Sequence, residues 1–377
     1  MDYNKLALDL HKQYKGKISI HLRDESELDR TKLSAYYTPG VAEVSRAIAE
    51  DPSLLPVYTW TNNLVAVISD GSAVLGLGDI GPKGAMPVME GKALLFKRFA
   101  DIDSVPIVLD VHTADEIVAA VKAIAPSFGA INLEDIAAPK CFEVEERLKA
   151  ELDIPVFHDD QHGTAVVVLA GLINAMKVVG KELKDCKVVT IGAGAAGTAI
   201  MKLLHKYGVS SILAVDSQGI ISDTRDDLND EKEALLPYLT TSVSGTLEDA
   251  LHGADIFIGV SKPGLLTAEM VKTMAEKPIV FALANPTPEI MPDVAKAAGV
   301  AVIATGRSDF PNQVNNALAF PGIFRGALDN GVKKITDDHK IAAAEAIAGL
   351  VENPTADEII PSPFDERVVP AVSNVIR

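Results

Sequence analysis

Cysteine is scarce, with only Cys141 and Cys186 among 377 residues. Two thiols cannot build a disulfide framework, so a reducing compartment is expected. Positive charge is also short: 35 Lys and Arg stand against 52 Asp and Glu, a formal net charge of -17. Nucleic acid and anionic membranes need a basic footprint, so neither is expected as a partner. Small anionic substrates stay open, because a local cation or metal reverses the local field. Long apolar runs are missing. The longest, Ala165–Ile173, is too short to span a bilayer, and Met1–Leu10 has no signal-peptide apolar region. No internal repeat or low-complexity tract is evident. The expectation is a soluble, cytoplasmic protein.

What is present is core-forming sequence. Hydrophobic residues make up 48%, and the length suits one large or two ordinary domains. Residues 1 to about 60 read as short helices and loops, with helical spacing over Asp2–Lys15 and Val41–Glu50 and a turn at Thr38–Pro39–Gly40. Leu64–Ser69, Asp70–Gly71 and Ala73–Leu77 read as strand, hairpin turn and second strand. A glycine-rich loop follows, then a helix over Met89–Phe99. Strands Val105–Leu109, Ala130–Leu133 and Pro155–Phe157 alternate with helices Ala114–Ile124 and Phe142–Glu151. That is a parallel βαβαβ core with right-handed crossovers.

A buried helix, Thr164–Val179, leads into a second unit with strands at Lys187–Ile191, Ile212–Val215, Ile256–Val260, Ile279–Leu283 and Val300–Ala304. The segment Asp223–Pro237 is acidic and reads as a surface excursion. The fold class is therefore α/β with two domains: an N-terminal catalytic domain over 1–160 and a doubly wound, Rossmann dinucleotide-binding domain over 161–377. The helices from about 315 to 377 are expected to pack back onto the first domain.

Two acidic pairs end parallel strands, Glu134–Asp135 and Asp159–Asp160, where open α/β sheets place their ligands. Any one acid taken alone is better read as a helix cap. Two adjacent pairs shift the reading toward a divalent cation held by Glu134, Asp135 and Asp160. Hard oxygen ligands suit Mg²⁺ or Mn²⁺ rather than zinc. His158 and His162 flank the second pair and are read as structural. Lys92 lies near the start of a helix. Most lysines are solvated, but one beside a cation has a lowered pKa and serves as a general base. Tyr36–Tyr37 precede the Thr38–Pro39–Gly40 turn and read either as packing residues or as a proton donor.

Gly192–Ala193–Gly194–Ala195–Ala196–Gly197 follows a β-branched strand and opens a helix. Gly192 permits the tight turn, Gly194 lets backbone approach a pyrophosphate, and Gly197 allows close helix–strand packing. The N–H groups at Ala195 and Ala196 lie at the helix N-terminus that receives phosphate. Asp216 ends the next strand and is placed to accept from ribose hydroxyls. Its charge opposes a 2′-phosphate, which favours NAD and leaves NADP open. No arginine directly follows it. Asn285 ends a buried strand, and Asn315 and Asn316 precede Phe320–Pro321–Gly322. Neutral amides there fix a carboxylate or satisfy loop backbone.

Taken in order, Tyr37–Gly40, Gly76–Gly81, Pro87–Lys92, Asn132–Asp135, Phe157–Thr164, the Gly192 loop, Ala284–Thr287 and Gly306–Asp309 through Gly322 resemble the malic enzymes. The length resembles the short bacterial form. The resemblance implies oxidative decarboxylation of L-malate, through oxaloacetate, to pyruvate. It implies Tyr37 as general acid and Lys92 as general base. Glu134, Asp135 and Asp160 match metal ligands, with Asp159 a neighbouring carboxylate. Asn285 matches a position at malate and cofactor, Asn315 a malate position, with Asn316 a close competitor. A homodimer is implied. One departure stands out: large members carry an arginine where this chain has Ala73. Rival readings are an oxaloacetate decarboxylase of the same family, a metal-independent amino-acid dehydrogenase and a nucleotide-sensing binding protein.

Overall fold

The computed structural model describes residues 3–14, 17–74 and 76–377. Two sheets organise it. The first holds β1 (Leu64–Ser69), β2 (Asp103–Val108), β3 (Ala130–Leu133) and β4 (Val156–His158) in the order β2-β1-β3-β4, all parallel. The second holds β5 (Lys187–Ile191), β6 (Ser211–Asp216), β7 (Gly219–Ile220), β8 (Ile256–Gly259), β9 (Ile279–Ala282) and β10 (Val302–Thr305). Its order is β10-β9-β8-β5-β6-β7, and β7 runs antiparallel to β6. Strand order reverses between β1 and β3 in one sheet and between β5 and β8 in the other. Crevices therefore open beyond those strand ends, which carry Asp70, Glu134 and Gly192. β1, β3, β4, β8, β9 and β10 are buried throughout, which is why they read as continuous apolar runs.

The expected hairpin after β1 is not formed. The proposed second strand includes Leu75, which lies outside the described residues; around it there is only an isolated bridge between Val74 and Gly78. The reason is that β1 already spends both edges, on β2 and β3. Asp70 instead caps a turn by accepting from the Ser72 N–H at 3.1 Å, and it pairs with Lys140. Gly71 sits at φ 73°, and a Cβ there would fall 2.3 Å from the Gly81 carbonyl oxygen.

Two helices begin earlier than their sequences suggest. Gly81–Ala100 takes in Gly81 and Gly84 of the glycine-rich stretch, with Pro82 in the first turn, where its missing N–H costs nothing. Asp159–Val179 takes both acids into its own first turn, where a carboxylate is favoured by the helix dipole. This second helix is the one among the described residues long and apolar enough to cross a membrane, and most of it is buried inside the molecule. Its Asn174 donates to the carbonyls of Ala348 (2.8 Å) and Ile359 (3.0 Å), tying down the C-terminal helices.

The C-terminal helix Phe320–Asn330 rests on the first sheet's side of the molecule. Phe320 and Phe324 meet Phe96 edge-on at 4.7 and 5.1 Å, and Arg325 donates to Asn63 at 2.6 Å. The N-terminal helices Arg30–Tyr36 and Val41–Glu50 bury no side chain.

Candidate active site

Four carboxylates and one ammonium gather at the C-terminal ends of β3 and β4. Lys92, from the helix Gly81–Ala100, points its Nζ at Asp159 Oδ2 (2.6 Å) and Glu134 Oε1 (2.8 Å), and all three side chains are buried. Nζ also lies 4.3 Å from the centre of the Phe320 ring. Asp160 Oδ2 accepts from the backbone N–H of Asp135 at 2.8 Å. That bond is aimed by Asp135 itself, which holds φ 53°, a left-handed conformation costing a non-glycine residue about 1–3 kcal/mol. Asn132 steadies Glu134 through a 2.9 Å bond.

The charges are unbalanced. Burial pushes the Asp159 and Asp160 carboxyls up to about 6, with Lys92 pulling the other way, and burial raises Glu134 as well. Burial would lower the Lys92 ammonium, but Asp159, Glu134 and Asp160 outweigh it and hold it above the ordinary lysine value. Lys92 is therefore not a solvated surface lysine: it faces carboxylates directly. The Asp159 Oδ1 atom is buried without a hydrogen-bond partner among the described residues. Among those residues, no three carboxylate, imidazole or thiol groups converge as a ready-made cation cage. The acid set comes together, but around an ammonium.

Glu145, which nothing in its local sequence singles out, grips the β4–helix junction. It accepts from the His158 backbone N–H at 3.0 Å, from His162 Nε2 at 2.8 Å and from Gln161 at 3.4 Å. Burial would raise its carboxyl, yet His162 and Lys149 hold it well below the usual range. His162 is thus a structural partner, as expected. Both ring nitrogens of buried His158 lack hydrogen-bond partners among the described residues. Gly163 completes the junction: a Cβ there would fall 1.8 Å from Asp159 Oδ1 and 3.1 Å from Asn316 Cβ. Asn316 therefore stands at the acid cluster. Asn315 turns its Oδ1 to the Ala317 N–H at 2.8 Å as a local cap.

Across the crevice lies the glycine loop, whose Ala195 packs against the core of the first sheet. Gly192 holds φ 105°, and a Cβ on Gly197 would strike the Gly192 carbonyl oxygen at 1.9 Å. A Cβ on Gly194 would meet nothing within 4 Å. The helix Ala195–Tyr207 has no side-chain N-cap, so its first N–H groups face that open space, as phosphate binding needs. Asn285 backs onto both sheets' loops: a Cβ on Gly76 would lie 2.7 Å from its carbonyl oxygen, and one on Gly306 would lie 3.0 Å from its Nδ2.

Asp216 ends β6 as expected, but it is not a free charge. Arg225 Nη1 donates to it at 2.8 Å, Lys232 Nζ at 2.6 Å and the Gln218 N–H at 2.8 Å. Both cations come from the acidic excursion, whose composition concealed them. Tyr37 ends the helix Arg30–Tyr36 and is 69% exposed. Ala73 donates its N–H to the Asp135 carbonyl at 3.0 Å and brings no charge to replace the missing arginine.

Comparison with known proteins covers nearly the whole chain. The malic enzyme N-terminal domain family matches residues 17–149, and the malic enzyme NAD binding domain family matches residues 161–375. A bifunctional malic/malolactic enzyme of Bacillus subtilis (strain 168) is 55% identical over 381 residues, covering 100% of this chain and 92% of that protein. An NAD-dependent malic enzyme of Geobacillus stearothermophilus is 56% identical over 365 residues, covering 96% of this chain and 74% of that one. The crystal structure of an NAD-dependent malic enzyme from Thermotoga maritima superposes with a TM-score of 0.95 at 52% identity, covering 98% of each chain.

Proposed function

We infer, because this chain belongs to the malic enzyme family, that it oxidises and decarboxylates L-malate to pyruvate and CO₂ with reduction of NAD or NADP. The observation that carries the reading is the buried Lys92 clasped by Asp159 and Glu134 at the strand ends, with an open phosphate cradle at Gly194 across the crevice.

The donor chemistry fits a hard divalent cation. Asp159, Glu134 and Asp160 act on one ammonium, and Asp159 keeps an unpartnered buried oxygen among the described residues. Glu134, Asp135 and Asp160 would hold Mg²⁺ or Mn²⁺ after side-chain rotation. When bound, the cation supplies Lewis acidity at the C2 oxygen of the substrate and the dinucleotide supplies the hydride acceptor. Lys92 takes the proton of the C2 hydroxyl once its carboxylate partners are neutralised. Asn285 and Asn316, with Asn315 beside it, orient malate. After CO₂ leaves C3, Tyr37 delivers a proton to that carbon.

A homodimer is part of the proposal. Ile20, Leu22, Tyr37 and Val57 are 79%, 76%, 69% and 65% exposed on the N-terminal segment, an apolar surface of the kind that a partner covers. Tyr37 lies on that surface, away from any core, so the covering subunit is its route to an acid cluster. The two buried, unbridged cysteines suit the cytoplasm as location.

The test is an initial-rate assay with L-malate and each dinucleotide, with and without Mn²⁺, measuring reduced cofactor and pyruvate together. Equal yields of both support the proposal. Pyruvate from added oxaloacetate with no malate-dependent cofactor reduction would replace it with a simple decarboxylase.

A further inference from the structure

A cavity of about 310 Å³ opens beside the β4–helix junction, and no residue proposed above for metal, substrate or dinucleotide lines it. Its walls are the helix Lys140–Glu151, which packs on the first sheet, the start of Asp159–Val179, the glycine-loop helix Ala195–Tyr207 and the C-terminal helix Asp337–Gly349. It therefore lies where the two halves of the chain meet. Three lysines line it: Lys149 from the first half, and Lys202 and Lys340 from the second.

Acid and base in this cavity are not matched. Glu145 is fully used: its two oxygens accept from the His158 N–H, Lys149, His162 and Gln161, which fills the about four acceptor sites of a carboxylate. Lys340 is the opposite case. Its side chain is 6% exposed, yet its ammonium meets one acceptor, Asp337 Oδ1 at 2.9 Å, so about two of its three N–H donors stay unspent among the described residues. Lys149 gives one N–H to Glu145 at 2.6 Å and otherwise lies 3.3 Å from His162 Nε2, the nitrogen that donates to Glu145. Lys202 Nζ lies 5.5 Å from the centre of the Tyr238 ring and has no carboxylate partner among the described residues. The other acids of the wall, Glu146 and Asp337, are exposed, so water and salt screen them. Burial lowers the Lys340 ammonium and Lys149 lowers it further, while Asp337 and Glu145 pull it up. A buried cation beside a second cation is stabilised by an anion placed between them.

We propose that this cavity binds a compact polyanion, a phosphate or a small dicarboxylate, held by Lys340 and Lys149 with Lys202 at the mouth. The anion takes the N–H donors that Glu145 and Asp337 leave unspent, and charge-assisted bonds of this kind are the strong ones. The volume is at the small end of ligand pockets, which suits a compact ligand. Lys149 and Lys340 belong to different halves of the chain, so an occupant ties the halves together and stabilises them as a ligand of the native state does.

Inorganic phosphate and succinate are the probes, each titrated by calorimetry into the full chain saturated with NADH and free of metal. NADH fills the Gly194 cradle, and the acids around Lys92 outnumber it and repel anions. Binding of at least one probe with a Kd below about 10 mM is expected, with a Tm that rises with its concentration. The tighter probe identifies the source, phosphoryl or carboxylate. Lys340→Met keeps the apolar stem and should weaken binding at least about tenfold, the scale of a charge-assisted hydrogen bond. Lys202→Glu should weaken it at least about threefold, and its exposed position guards against misfolding of the buried variant. Both variants should keep the wild-type Kd for NADH. No binding of either anion to the wild-type chain, or Kd values unchanged within about twofold in both variants, would overturn the proposal.

Discussion

Lys92 Nζ lies 2.6 Å from Asp159 Oδ2, and neither side chain is more than 7% exposed. An ammonium placed there keeps several buried carboxylates ionised, and they in turn keep it protonated. Removing either partner therefore acts on folding and chemistry together. Lys92→Ala should lower kcat by about 10²–10⁴-fold, the usual worth of a general base. It should also destabilise the chain by about 3–5 kcal/mol, because buried carboxylates lose their counter-charge. Asp159→Asn should lower kcat while costing less stability, since Glu134 still holds the ammonium at 2.8 Å. Denaturant unfolding beside steady-state rates checks both. A fully active Lys92→Ala chain would remove Lys92 from the chemistry.

Two glycine replacements separate the halves of the site. Gly194→Ala meets nothing within 4 Å and leaves φ at -84°, so folding should be unaffected. The added methyl enters the space assigned to the pyrophosphate, and KM for the dinucleotide should rise on the order of tenfold. Gly163→Ala should spare dinucleotide binding and abolish turnover, because its Cβ would displace Asp159 Oδ1 from 1.8 Å away. Kd values for NADH by fluorescence, set beside kcat, report each half. An unchanged KM in Gly194→Ala would mean that the loop cradles no phosphate.

Stability at mild acid should carry the mark of His162. Burial holds its imidazole down to about 4, against an ordinary 6.5, with Glu145 pulling it up. The unfolded chain binds that proton first as pH falls. The stabilisation from a neutral His162 is thus complete above pH 6.5 and is lost as pH drops through 4. Asp159 and Asp160, pushed up to about 6, work in the opposite direction, so the informative quantity is a difference. Between pH 7 and 4, the wild-type chain should lose roughly 2 kcal/mol more than His162→Gln. Parallel urea-midpoint profiles would contradict the assignment.

Tyr37 supplies a test of the dimer. In a two-fold assembly where Tyr37 serves the partner's site, a hybrid of Tyr37→Phe and Lys92→Ala chains owns one complete site. Co-refolding the two inactive variants should return roughly a quarter of wild-type activity by random pairing. Recovery of none would place Tyr37 outside the partner's site.

The strands and the glycine loop were legible because parallel buried strands are continuous apolar runs and the loop follows one of them. β3 and β5 fall where periodicity puts them. The acid cluster was legible as strand-end chemistry, but the ammonium buried at its centre was not. A lysine's pKa depends on neighbours distant in the chain, and Lys92 meets Asp159 across 67 residues. The hairpin failed because local turn chemistry at Asp70–Gly71 cannot report that β1 is central in its sheet. Glu145 and Arg225 were illegible for the same reason. One is an ordinary acid on an amphipathic helix, the other a cation in an acidic stretch, and only the folded chain shows what each touches.

The carboxylates that follow β3 and β4 are proposed to share a divalent cation beside Lys92. Titration of Mn²⁺ followed by electron paramagnetic resonance measures that binding itself. The expected result is a single tight site per chain, lost in Glu134→Gln and in Asp160→Asn and retained in the surface control Asp230→Asn. Undiminished Mn²⁺ binding in both acid variants would contradict it.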